Sequence, residues 1–319
     1  MAIVGLIIMK AVVKELKKLN AKKIFVQFPE GIKLRIQDIK RELEKEGFDI
    51  ALCLERTWGA CDIREYEAKM LGCDAIVHVA HRDFGVKSKI PIVYWDYFQD
   101  VDPIPALEKE LDKLKDYKNI GLVASLQFIP VMKTVKKYLE DHGKKVFSGK
   151  TEEYEGQILG CRVGAGKLVE DKVDCFLCVS AGKFYPLGLA LDTGKRVFNF
   201  DLEEGKIFSM DEMRNRVLKV IAWNKAEFKD AKKVGLLVSF KTGQFRNPFS
   251  LKKIIEKQGK EVFVLAMDEF SMDKLEGLKL DVLVNTACPR IIDDFNKYKI
   301  PIINIEDALN PNHTKNLGN

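Results

Sequence analysis

The sequence has no long apolar run, no large net charge of either sign and no even set of cysteines. Its apolar opening, Ile3 to Met9, stops at Lys10, whereas a helix that crosses a bilayer needs about twenty apolar residues. No basic segment or small-residue cleavage site surrounds it, so the chain reads as cytoplasmic. The net charge is +6 over 319 residues. Lys and Glu are interspersed, as in Lys14-Glu15-Leu16-Lys17-Lys18, which describes solvated helix surface and no direct nucleic-acid binding. Seven cysteines, an odd number, argue against a disulfide framework and for reduced thiols, some able to bind metal.

What is present is ample apolar material, 46% hydrophobic against 31% charged, in a chain too long for one comfortable core. A helix pattern, a lysine-rich joint and an apolar strand occur three times, over 11–29, 106–126 and 216–240. Val12, Leu16 and Leu19 fall at helical spacing, as do Leu107, Leu111 and Leu114. Ser209 with Glu212 reads as a capping box opening the third unit's helix. Each unit continues with an amphipathic helix (32–46, 129–142, 248–258) and a second strand (48–55, 144–149, 260–268). A third strand (73–80, 173–182, 280–288) and a fourth (90–96, 195–201, 300–307) follow. Apolar strands alternating with helices predict parallel sheets covered on both faces, with right-handed crossovers. The expected fold is α/β: three repeated small doubly wound domains, each with a mostly parallel four-stranded sheet flanked by helices. Their expected bounds are 1–102, 103–205 and 206–319.

In such sheets ligands sit beyond the carboxyl ends of the strands. There the segments ERTWGACD (55–62), EGQILGCRVG (155–164) and NTACPRI (285–291) each place one cysteine on a loop: Cys61, Cys161 and Cys288. Three thiolates without a fourth suit an iron–sulfur cube that keeps one iron open. Their wide separation means that such a site forms only when all three domains meet. The alternative is three packed loop thiols, and spacing alone leaves both readings open. Cys53 and Cys73 read as small buried hydrophobes. Cys175 and Cys178 form C-x-x-C, but on a strand residues three apart face opposite sides, and no second pair completes a zinc site.

Further segments stand in a fixed order along the chain: VQFPEGI (26–32), TWGACD (57–62), HVAHRDF (78–84), GQILGC (156–161), SAGKFYPLG (180–188), SFKTGQFR (239–246) and TACPRI (286–291). In these, and over nearly its whole length, the sequence resembles the archaeal enzymes of the first step of diphthamide synthesis. The resemblance implies a homodimer of three-domain subunits with a 4Fe-4S cluster held by one cysteine per domain, here Cys61, Cys161 and Cys288. It implies a transferase of the radical S-adenosylmethionine kind that lacks the usual CxxxCxxC motif, as this sequence does. S-adenosylmethionine would be cleaved between sulfur and the γ-carbon, releasing methylthioadenosine and a 3-amino-3-carboxypropyl radical. That radical would add to an imidazole carbon of one histidine of translation elongation factor 2, with an electron donor serving the cluster. The sequence departs from the family at Trp58, commonly Tyr, at Val79–Ala80, commonly Tyr–Gly, and at Tyr185, commonly His. None of these removes a cluster ligand, and no side chain is assigned a catalytic proton transfer.

Within that resemblance, Arg290 beside Cys288 is the best two-pronged partner for the cofactor's carboxylate. Gly59, Gly156 and Gly160 would let backbone approach it closely. Gln157, Ser239 and Gln244 would donate to its polar groups, and His81 would orient target or cofactor. Each has a plainer reading as ion pair, helix cap or buried histidine. The nearest rival is quinolinate synthase, also three α/β repeats with one cluster cysteine each, whose open iron is a Lewis acid for dehydration. A cluster-bearing subunit without catalysis is the rival of another class. The TWGAC, GQILGC and TACPRI set favours the transferase, and its presence in one chain favours a self-sufficient catalyst.

Overall fold

The computed structural model describes residues 3–310, with side chains from Ile8 onward. Residues 1–2 and 311–319, at the outer ends of the first and third expected domains, lie outside the described residues, as do the side chains of 3–7 in the apolar opening. The first repeat runs α1 (Ile3–Lys18), β1 (Lys23–Gln27), α2 (Ile36–Lys45), β2 (Asp49–Leu52), α3 (Glu65–Met70), β3 (Ala75–Val79) and β4 (Ile92–Trp95). The second runs α4 (Ile104–Glu110), β5 (Asn119–Ala124), α5 (Ile129–Asp141), β6 (Lys145–Phe147), α6 (Gly164–Lys167), β7 (Cys175–Ser180), α7 (Phe184–Asp192), β8 (Arg196–Asp201) and β9 (Lys206–Ser209). The third runs α8 (Asp211–Asp230), β10 (Lys233–Ser239), α9 (Pro248–Glu256), β11 (Glu261–Met267), β12 (Val282–Asn285), β13 (Ile302–Asn304) and α10 (Ile305–Leu309).

The sheet orders are β2-β1-β3-β4, β6-β5-β7-β8-β9 and β11-β10-β12-β13. All pairs are parallel except β8 with β9. The order reverses beside the first strand of each repeat, which puts the switch point between the first and third strands. The chain divides into two compact units: residues up to Asp100 with Lys241–Gly243, and Val101–Phe240 with residues from Gln244 onward. The first unit holds the first sheet and the second holds the other two. In the second unit Met210, the N-cap of α8, and Val217 and Ile221 along the helix share one core with Phe176 of the middle sheet and Leu237 and Leu283 of the third. That shared helix face is why three sheets make two units.

The expected four strands become five in the middle sheet, because β9 folds back on β8 through a turn at Gly205 (φ +64°). This strand also removes the expected capping box. Ser209 ends β9, its Oγ accepts from Asp211 N at 3.2 Å, and Met210 is the N-cap of α8 without a side-chain cap bond. The fourth strand of the third repeat is shorter than expected, since Ile305–Leu309 turns into α10.

Two devices recur in all three repeats. Helices α2, α5 and α9 are each followed by a glycine at positive φ, Gly47 (+91°), Gly143 (+77°) and Gly259 (+79°), which turns the chain into the next strand. At the lysine-rich joints, one aspartate accepts two backbone N–H bonds from the start of the first strand. Asp74 takes those of Lys22 and Lys23, Asp174 those of Lys118 and Asn119, and Asp281 those of Lys232 and Lys233, all at 2.7–2.9 Å. Bonds to the ionised form hold all three carboxyls below the usual range. Among the described residues no helix is long and apolar enough to cross a membrane.

Removing one clamp, Asp174→Ala, is expected to lower stability by about 1–2 kcal/mol, the worth of charge-assisted bonds at a wet strand end. Because the folded pKa is depressed, the contribution is complete above the ordinary carboxylate pKa and fades as pH falls through the folded value. Urea midpoints at pH 7 and pH 3 should therefore differ less in the variant than in the wild type. An equal difference would show that the clamp carries no charge-dependent stability.

Candidate metal centre

The seven cysteines separate into two populations. Cys175 and Cys178 lie on β7 and are fully buried, Cys175 in the core of one sheet face and Cys178 in that of the other. Opposite faces are what strand geometry requires of residues three apart. Burial pushes both thiols up to about 12, so neither offers a thiolate. Cys53 is buried and Cys73 packs against the same small core, and burial raises both. Cys61, Cys161 and Cys288 instead stand on loops past strand ends, Cys161 exposed and the other two half-buried. Among the described residues no group of three His, Cys, Asp or Glu is assembled as a metal site. The fit to a cluster therefore rests on the donor chemistry: three reduced thiols on loops outside every core.

In the first unit, Cys61 follows β2 within the turn that Asp62 N closes onto Gly59 O at 3.0 Å. Its neighbour Asp62 is buried and ion-paired to Lys241 (2.6 Å) and Arg64 (3.4 Å), and both cations are also buried. Gln27, at the end of β1, donates from Nε2 to Asp62 O at 2.5 Å and accepts from Arg64 N at 3.1 Å. Breaking one partner of such a buried pair costs ~3–5 kcal/mol, because the other charge stays behind. A side chain at Gly59 would lie 3.7 Å from Cys61 Sγ, so the glycine leaves room beside that thiol.

In the second unit, Arg290 binds the segments of the other two cysteines together. It stands two residues after Cys288 and donates from Nη1 to Gly160 O, the residue before Cys161, at 2.5 Å. Its Nε donates to Asp293, and the guanidinium lies 4.3 Å over the ring of Phe184. With two nitrogens committed, the expected two-pronged grip on a ligand is not available as it stands. Nη2 is buried without a hydrogen-bond partner and is the nitrogen left for a ligand. Asn285, at the end of β12, donates to Cys288 O at 2.8 Å and to Asn304 Oδ1 at 2.8 Å, and Asn304 donates to Pro289 O. These bonds fix the turn that carries Cys288.

Gly156 and Gly160 are required for reasons other than a ligand. A side chain at Gly156 (φ +74°) would meet Met132 at 2.2 Å, and one at Gly160 would meet Phe184 at 2.0 Å. Gln157 is buried and its Oε1 accepts from Tyr154 N at 3.2 Å. Ser239 is buried at the end of β10, and Gln244 is half-buried beyond it. Tyr185 is held neutral, burial raising its phenol to about 12.

Reasoning from sequence passed over Asp62, Lys241 and His78. His78 is fully buried on β3, in register with Gln27 on one side and Tyr94 on the other. Its ring lies 4.9 Å from that of half-buried His81, and neither nitrogen of His78 nor Nδ1 of His81 has a hydrogen-bond partner among the described residues. Between them Ala80 adopts φ +63°, in the left-handed region that costs a non-glycine residue about 1–2 kcal/mol. Burial depresses both imidazoles, His78 well below its usual range and His81 to about 4. The spacing His-x-x-His was visible in HVAHRDF; that its first member is the more buried was not.

Comparison with known proteins gives consistent neighbours. A family model described as diphthamide synthesis protein matches residues 28–310. The chain is 32% identical over 300 residues to a protein of Pyrococcus horikoshii named 2-(3-amino-3-carboxypropyl)histidine synthase, covering 92% of this chain and 86% of that one. It is 28% identical to one of the same name from Methanocaldococcus jannaschii, covering 93% and 86%. Two crystal structures of Dph2 from Pyrococcus horikoshii, one described as holding a 4Fe-4S cluster, superpose with a TM-score of 0.85 over 96% of this chain and 91% of theirs, at 30% and 29% identity.

The histidine pair yields a signed pH effect. On unfolding, His81 takes up a proton near its ordinary pKa of 6.5, whereas the folded protein resists protonation down to about 4. Its contribution to stability is thus complete above pH 6.5 and is lost as pH falls toward 4. The drop in urea midpoint from pH 7 to pH 5 should shrink in His81→Gln. An unchanged drop would show that His81 is already protonated in the folded state.

Proposed function

Because the chain belongs to the diphthamide synthesis protein family, we propose that it moves the 3-amino-3-carboxypropyl group of S-adenosylmethionine onto a histidine of translation elongation factor 2, using a 4Fe-4S cluster held by Cys61, Cys161 and Cys288. One observation carries this reading. Those three thiols stand on loops past strand ends, one for each sheet, while the other four are packed in or against cores. Thiolates are the ordinary ligands of such a cluster, and three of them leave one iron for the cofactor. When bound, the cluster supplies the electron that breaks the bond between the sulfonium sulfur and the γ-carbon.

The remaining work falls to side chains. Nη2 of Arg290 meets the cofactor's carboxylate, while Nη1 keeps the Cys161 loop against the Cys288 segment. Gly59 leaves space beside the Cys61 thiol. His81, neutral at physiological pH, accepts a hydrogen bond at Nδ1 and orients the target or the cofactor. Ser239 and Gln244 offer donors at the end of β10. The working form is a homodimer in the cytoplasm, served by a one-electron donor.

The purified anaerobic protein should hold about four irons and four sulfides per chain. Cys61→Ala, Cys161→Ala and Cys288→Ala should each abolish the reduced-cluster spectrum, and Cys175→Ala should leave it. With a strong reductant, S-adenosylmethionine should yield methylthioadenosine, and added archaeal elongation factor 2 should gain one 3-amino-3-carboxypropyl group on a histidine by mass spectrometry. A zinc-only protein would sink the cluster assignment. Quinolinate from small precursors, or 5′-deoxyadenosine as the main product, would sink the reaction.

A further inference from the structure

The geometry points to Lys241 as a positioning residue that, with Thr242 and Gly243, clasps the Cys61 loop and presets that cysteine for its cluster. Although these three residues follow β10 of the third repeat, they belong to the first unit, whereas the chain on either side of them belongs to the second. Three consecutive residues grip three consecutive residues. Gly243 N donates to Cys61 O at 2.8 Å, Lys241 Nζ donates to Asp62 Oδ2 at 2.6 Å, and Thr242 Oγ1 donates to Ile63 O at 3.3 Å. Lys241 and Asp62 are nearly inaccessible, with side chains 6% and 1% exposed, so water does not compete for that bond. Gly243 is tied down by shape as well. A side chain there would come within 2.7 Å of Cα, Cβ and O of Cys61, so the two backbones would have to move apart to admit one.

The clasp holds the chain from the Cys61 carbonyl through Ile63, immediately after the Cys61 side chain. Gln27 supports Asp62 from the opposite side through its carbonyl. A buried cation in this place therefore has a use beyond stability. A loop thiol that must meet two others from distant parts of the chain binds a cluster well only if its backbone is already placed, since ordering the loop at binding would weaken the site.

This inference rests on the cluster reading above, so its test includes a readout that does not require a cluster. In the apo protein, Cys61 and Cys161 are alkylated with iodoacetamide at one fixed pH and followed separately by peptide mass spectrometry, with Cys161 as internal reference. Lys241→Met and Gly243→Ala should each raise the Cys61 rate about tenfold, as expected of a loop released from local protection, and leave the Cys161 rate within about twofold. Lys241→Arg, which restores a buried cation, should return the Cys61 rate toward wild type. After anaerobic reconstitution, both disruptive variants should hold less than half the wild-type iron. If Lys241→Met fails to fold, as the stranded Asp62 charge could cause, Asp62→Asn with Lys241→Met removes both charges and should show the same selective change at Cys61. Unchanged Cys61 rates with full iron content in folded variants would overturn the clasp and leave the cluster reading intact. A wild-type protein without iron would overturn the cluster reading, while the alkylation rates would still decide whether Lys241 positions Cys61.

Discussion

The whole arrangement depends on an aspartate placed just before the third strand of each repeat. By accepting two backbone N–H bonds from the start of the first strand, Asp74, Asp174 and Asp281 lock the two central strands in register at their amino ends. In a parallel ladder, register set at one end is carried to the other. The clamp therefore decides where the strands finish, and hence where the loops bearing the cysteines leave the sheet. The glycines that end the helices before the second strand do the complementary work on the edge. Each needs a left-handed residue to reverse the chain within one turn.

At the other end of the sheets, buried cations hold the cysteine segments, by two different chemistries. Lys241 is a point charge aimed at one carboxylate, Asp62, beside Cys61. Arg290 is a planar fork that reaches Asp293 with one nitrogen and the Gly160 carbonyl with another while its face rests on Phe184. Lysine suits the first task because one bond must be strong and dry; arginine suits the second because it must bridge two segments at fixed angles. Cysteine shows a comparable division of fates. On β7 it is a small hydrophobe whose proton burial holds on, and on the loops it is a candidate ligand.

The α/β class, the threefold repeat, most strand positions and the two kinds of cysteine were determined by the sequence alone. Those properties follow from hydrophobic period and from local residue type, which act over a few positions. The C-x-x-C of β7 could be set aside on strand geometry, and its two thiols do face opposite cores. Only tertiary structure decided the rest. Ser209 was drawn into an antiparallel strand, so the capping box never formed. Gly156 and Gly160, read as letting backbone approach a ligand closely, have their side-chain space taken by Met132 and Phe184. Arg290, read as a clamp for a cofactor, is first a clamp on the protein's own backbone. The pair of Lys241 with Asp62 joins residues 179 positions apart, and no local pattern marks either one as buried. A side chain's burial and partners are properties of what the fold brings against it, and that information is spread over the whole chain.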